Sequence, residues 1–123
     1  MVLDSNIIIY AVKPDYPQVR AFVKRHDVMA SLISRTETLG YHDLSEPEAS
    51  NLERLFDLFT VQPITEAVIQ RSIALRRRRK GMKTVDAIIA ATALEMDLPL
   101  VTHDTTDFDW IDELDVIDPV SSE

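Results

Sequence analysis

The sequence predicts an α/β protein with a central, mostly parallel sheet flanked by helices, and three observations carry that prediction. Short apolar runs alternate along the chain with longer stretches of helical periodicity, the order expected when strands are joined by crossover helices. Acids stand directly after two of these runs, at Asp4 and at Asp104. In parallel sheets, ligands bind beyond the carboxyl ends of the strands, and both acids fall on that edge. No internal repeat, low-complexity segment or linker interrupts the 123 residues, so residues 1–123 are expected to form one domain.

Val2-Leu3 reads as the first strand, ended by Asp4-Ser5-Asn6, with Ile7-Ile8-Ile9-Tyr10-Ala11 continuing as a buried segment. Pro14 and Pro17 break that segment and restart the chain, because proline is tolerated in a helix's first turn. Val19, Phe22 and Val23 then recur at helical spacing. Residues 28–33 read as a second strand, and Ser34-Arg35-Thr36-Glu37 as a capping box opening a helix. Residues 46–59 place Leu52, Leu55, Phe56 and Phe59 on one helical face. Residues 60–64 predict an edge strand. Thr65 then caps a long helix with Val68, Ile69, Ile73 and Leu75 as its apolar residues and Gly81 as its C-cap. A helix over Thr84–Met96, a strand at Leu100-Val101 and a last strand at Val116-Ile117 complete the order, and the tail from Val120 to Glu123 is expected to fray.

Composition narrows the function. The hydrophobic fraction of 46% is that of an ordinary globular protein, and no apolar run reaches the ~20 residues a membrane helix needs. The N-terminus lacks a basic region followed by an apolar one, which argues against secretion. The absence of cysteine excludes disulfides and thiolate metal sites, and a cytoplasmic setting is expected. A net charge of −8 excludes nucleic-acid binding across the whole surface. The exception is local: Arg76, Arg77, Arg78, Arg79 and Lys80 hold five of the thirteen basic residues. That run reads equally as an RNA-binding patch or as a solvated helix end favoured by the dipole.

Four acids carry the chemistry, and each has a plainer role open to it. Asp4 can cap the helix after it. Glu37 can be the capping-box partner of Ser34. Asp86 sits in the first turn of its helix, where the dipole favours an acid. Asp104, like Asp107 after it, can serve a turn. What the plain roles leave unexplained is their common position at element boundaries that one sheet edge can gather. Converging carboxylates raise one another's pKa and call for a counter-charge. A hard divalent cation, Mg²⁺ or Mn²⁺, suits oxygen-only ligands. His26, His42 and His103 are scattered, which argues against zinc. With only Gly40 and Gly81, no glycine-rich phosphate loop or G-x-S-x-G elbow exists.

Four pieces, in order, carry a resemblance: residues 2–11 (VLDSNIIIYA), 34–40 (SRTETLG), 85–94 (VDAIIAATAL) and 100–108 (LVTHDTTDF). With the closing Val116-Ile117-Asp118-Pro119, they span nearly the whole chain, which resembles the PIN-domain nucleases, in particular the VapC-type toxins of prokaryotic toxin–antitoxin pairs. The resemblance implies a PIN-like three-layer fold and an acidic metal site of Asp4, Glu37, Asp86 and Asp104. Asp4, Asp86 and Asp104 would be its direct ligands, and Asp107 a further acid. Ser5 and Thr102 fall at polar positions beside the site, and Asn6 at the family's usual asparagine. His103 departs from the family, many of whose members carry arginine there.

The implied activity is Mg²⁺- or Mn²⁺-dependent hydrolysis of RNA phosphodiester bonds, with Glu37 binding metal directly or through water. The implied partners are an RNA substrate, a second copy in a homodimer, and a small antitoxin protein that covers the site. A non-catalytic PIN-like module binding RNA or protein is the alternative. A phosphotransferase using Asp4 as nucleophile ranks below both, because position 6 is Asn6 where that chemistry needs a second aspartate.

Overall fold

The computed structural model describes residues 1–120; of the tail expected to fray, residues 121–123 lie outside the described residues. Five strands form one sheet: β1 (Val2–Leu3), β2 (Met29–Ser31), β3 (Thr60–Gln62), β4 (Leu100–Val101) and β5 (Val116–Ile117). Six helices accompany them: α1 (Ser5–Ala11), α2 (Pro17–Arg25), α3 (Ile33–Leu39), α4 (Glu46–Leu58), α5 (Glu66–Arg78) and α6 (Thr84–Met96). A 3₁₀ turn follows at Thr105–Asp107. The strand order is β3-β2-β1-β4-β5, and every pairing is parallel. The chain thus winds outward from β1 on one side through β2 and β3, then returns to its other side with β4 and β5. The reversal of direction between β1 and β4 is the switch point at which such sheets open a crevice.

The strands are short, and backbone bonding prolongs their pairing at the carboxyl edge. The Asp4 amide donates to the Val101 carbonyl at 2.8 Å, the Leu32 amide to Gln62 at 2.9 Å and the Thr102 amide to Ile117 at 2.9 Å. Alternation across the sheet builds two cores. Val2 and Leu100 face one that includes Val68 and Leu75 of α5 and Ala87 and Ile89 of α6. Leu3 and Val101 face the other, with Ile7 and Ile8 of α1, Val19 of α2 and Leu52 of α4. Helices therefore cover both faces, giving three layers. α6 is the most enclosed, with residues 87–93 buried without interruption, and its run of alanines lets neighbouring backbones come close. Among the described residues, no helix is long and apolar enough to cross a membrane.

Several elements fall where the sequence predicts them, and α6, β4 and β5 do so residue for residue. Others need correction. The second strand is confined to Met29–Ser31, because α3 begins by Ile33. Ser34 is therefore inside a helix and makes no cap; its hydroxyl turns instead to Ser5, accepting from the Ser5 hydroxyl at 3.0 Å. The real capping box is Ser45 with Glu48, at the start of α4. α5 buries Val68, Ser72 and Leu75, while Ile73 is 41% exposed. Its C-cap is Arg79, and Gly81 lies two residues on at φ +89°, a left-handed conformation that suits glycine in the turn to α6.

Candidate metal centre

Four separate pieces of chain deliver the acids. Asp4 is the N-cap of α1: its Oδ1 accepts from the Ser5 amide at 2.8 Å, so the plain capping role holds for it. Its Oδ2 accepts from the Thr102 hydroxyl at 2.7 Å. The same hydroxyl accepts from the Asp104 amide at 3.1 Å. Asp104 follows β4 and heads the 3₁₀ turn that carries Asp107. Its Oδ2 accepts from the Asn6 amide nitrogen at 2.9 Å. Asp86 is presented by the first turn of α6, and Glu37 by α3, which the bond between Ser5 and Ser34 ties to the start of α1.

Asp4, Glu37, Asp86, Asp104 and Asp107 line a single cavity of about 410 Å³ at the carboxyl edge, together with Ser5 and Asn6. Sequence reasoning did not place the other five wall residues, Ile9, Tyr41, Lys83, Thr84 and Val85, at the site. Lys83 carried a readable signal: it stands three residues before Asp86 at a helix start, where both side chains reach one side. Tyr41 carried none. Thr102 lies wholly buried beneath the acids. His103 turns aside, with Nδ1 3.2 Å from the Asp118 carboxylate.

The electrostatics mark the cavity as short of positive charge. Burial pushes the Asp4 carboxyl up from 3.8 to about 7, against the lowering effect of its two hydrogen-bond donors, and Asp86 and Glu37 add to the rise. Burial also lifts Asp86, to about 6, assisted by Asp107 and Glu37 and opposed by Lys83. A neighbouring cation would return both groups to their ionised form.

The donor set suits a hard divalent ion. It is built from carboxylate oxygens, and one more oxygen stands ready. The Asp104 carboxylate can only accept, so it fixes the Asn6 amide with nitrogen toward it. That leaves Asn6 Oδ1 buried and without a hydrogen-bond partner, a cost to the fold unless a donor or cation meets it. Among the described residues, no three carboxylates or histidines close on a common point. Mg²⁺ does not need three, since it is commonly held by one or two carboxylates and keeps several waters.

The basic run divides. Arg76 donates to the Met82 carbonyl at 3.2 Å, and Arg78 forms a two-pronged pair with Glu113 at 2.9 and 3.3 Å. These two arginines serve the fold. Arg79 and Lys80 instead line a second hollow that adjoins the acids.

The PIN domain family model matches residues 1–114. No curated protein matches the chain by sequence. Solved structures do. A chain of a toxin–antitoxin complex from Klebsiella pneumoniae is 28% identical, with a TM-score of 0.78 over 96% of each chain. FitAcB from Neisseria gonorrhoeae is 26% identical, with a TM-score of 0.80 over 98% of this chain and 99% of that one. VapBC2 from Rickettsia felis, bound to a DNA fragment from its promoter, shares the fold at 23% identity and a TM-score of 0.76, over 95% and 96% of the two chains.

Proposed function

Because the chain belongs to the PIN-domain family, we propose that it is a metal-dependent endoribonuclease and the toxin of a toxin–antitoxin pair. One observation carries the reading: five carboxylates from four separate parts of the chain line one cavity at the sheet's switch point. A cluster of that kind costs stability in the free protein and serves no purpose in the core.

Asp4, Asp86 and Asp104 would hold Mg²⁺ or Mn²⁺, in part through waters the ion keeps, with Glu37 binding directly or through a water and Asp107 at the margin. When bound, the ion supplies the charge that acidifies a water and neutralises negative charge developing on the scissile phosphate. The protein's own work is placement. The Thr102 hydroxyl holds Asp4 Oδ2 and the Asp104 backbone in one register. The Asn6 amide aims the Asp104 carboxylate while presenting its own oxygen to the cavity. Ser5 and Ser34 keep α3, and Glu37 with it, beside α1. Lys83 offsets the acids' repulsion at the rim.

The partners of this reading are an RNA substrate, a second copy of the chain, and a small antitoxin of the kind implied by the similar chain in the Klebsiella pneumoniae complex. The setting is the cytoplasm. The competing reading, a PIN-like module that binds RNA or protein without cutting, draws on the separation of the carboxylates. Purified protein incubated with RNA and Mg²⁺ or Mn²⁺ decides between them. Cleavage that disappears with EDTA and with Asp86→Asn supports the nuclease. RNA that is bound but never cut, or cutting that survives EDTA, overturns it.

A further inference from the structure

Beside the acidic cavity lies a second hollow of about 220 Å³, formed where the α5–α6 turn meets the 3₁₀ turn after β4. The two hollows share Lys83, Asp86 and Asp107, so they are one continuous groove with opposite charge at its two ends. Arg79, Lys80 and Lys83 wall the cationic end, and among the described residues none of the three forms an ion pair. Arg78, one residue earlier, also lies over the Trp110 ring, at 5.3 Å, but its charge is paired with Glu113. Trp110 completes the wall, with the Arg79 guanidinium 5.6 Å from its ring centre. Its own N–H is spent on the Asp107 carbonyl at 3.1 Å, which fastens the ring to the turn carrying the acids. Arg79 is thus oriented rather than free, and held next to the proposed cleavage site.

We propose that this hollow is a phosphate subsite for single-stranded RNA, holding a phosphate adjacent to the scissile one, with Arg79 and Lys80 as its principal cations. The inference rests on the nuclease reading for what happens next door, but not for the binding itself. An otherwise acidic protein needs a local cationic footing for a polyanion, and here it borders the carboxylates that would hold the ion beside the scissile phosphate. Guanidinium and ammonium groups suit a phosphate that is held without being cut. The chain beyond it is then directed across the acidic cavity.

Trp110 is the only tryptophan, so its emission reports on the hollow directly. The test uses the full chain carrying Asp4→Asn, which keeps RNA intact, titrated in Mg²⁺ buffer with a single-stranded oligoribonucleotide roughly 10 nucleotides long. A saturable change in Trp110 emission is expected. Labelled-oligonucleotide anisotropy then compares that protein with versions also carrying R79Q and K80Q together, or R77Q alone, each checked for an unchanged melting temperature. The double charge removal should weaken binding at least about tenfold and reduce the salt slope by about 0.7, the share of one single-strand phosphate contact. R77Q should change neither. Silent Trp110 emission, unchanged binding in the double variant, or an equal loss with R77Q overturns the subsite; the first two outcomes would assign the hollow to an acidic protein segment instead. RNA cleavage by the wild-type chain, measured in parallel, keeps the readings apart. Cleavage without the Arg79 and Lys80 effect sinks the subsite alone, and the effect without cleavage sinks the nuclease alone.

Discussion

Asp4 and Thr102, 98 positions apart in the chain, meet in a buried hydrogen bond of 2.7 Å, and the hydroxyl that donates it also accepts from the Asp104 backbone. One side chain therefore sets the spacing of the two acids that flank the switch point. Thr102→Val keeps the shape and removes the hydroxyl. It should cost about 1–3 kcal/mol of stability, since it strands a buried acceptor and an amide donor. It should also raise the Asp4 pKa further, because a donor that favours the charged form is gone. Urea unfolding reads the first effect, and calorimetric Mg²⁺ affinity at neutral pH, which should fall, reads the second. A variant with unchanged metal affinity would remove Thr102 from the placement of Asp4.

Stability should depend on pH in opposite senses with and without metal. The Asp4 carboxyl titrates at about 7 in the folded protein and at its ordinary 3.8 when exposed. The folded state therefore holds a proton across that window that the unfolded state has lost. In EDTA, the protonated carboxyl's contribution is fully present below pH 3.8 and is lost as pH rises toward 7, a change on the order of 4 kcal/mol at most. Mg²⁺ needs the ionised form, so its stabilising effect should grow over the same range. Denaturant titrations of the wild type and Asp4→Asn from pH 4 to 8 isolate the group: the variant should lose this slope. Parallel curves for the two proteins would refute the assignment.

Asp86→Asn should stabilise the metal-free protein while abolishing cleavage. Burial and the neighbouring Asp107 and Glu37 hold its carboxyl at about 6, so near neutrality the fold carries a charge its surroundings resist. Melting temperatures with and without Mg²⁺ check this. The variant should melt higher than the parent in EDTA and gain little from the ion. A gain equal to the parent's would show that Asp86 is no ligand.

Asn6→Ala should leave the fold nearly as stable as before, because it deletes a buried orphan oxygen along with one hydrogen bond. Activity should still drop about 10–100-fold, the usual cost of losing a group that orients a metal ligand. Cleavage rates measured over a range of Mg²⁺ concentrations test it. A loss fully restored by excess Mg²⁺ would point to weakened ion binding alone.

β1, β4 and α6 were legible because their residues are enclosed by apolar surroundings, and a run such as 87–93 has one stable environment. Asp4, Asp86 and Asp104 were legible as acids at element boundaries. Ser34 misled, because the cap motif is local while the position of α3 is set by the parallel pairing of Met29–Ser31 and by the hydroxyl contact with Ser5. The basic run could not be divided from sequence: Arg76, Arg78 and Arg79 are alike in one dimension. Arg76 meets the Met82 carbonyl, Arg78 meets both Glu113 and Trp110, and Arg79 meets Trp110, partners that for Arg78 and Arg79 come from more than 30 residues away.

The pairing of β1 with β4 has a consequence for how the protein is made. Asp104 follows Asp4 by 100 residues, and their common hydroxyl, on Thr102 just past β4, cannot reach Asp4 until that later stretch has been synthesised. A nascent chain can lay β1 against β2 early, yet the acidic cavity stays open on one side until Leu100 and Val101 arrive. Long-range parallel closure is also intrinsically slow. Closure of the acidic cavity thereby waits on β4, and a product terminated before Leu100 lacks Thr102, Asp104 and Asp107.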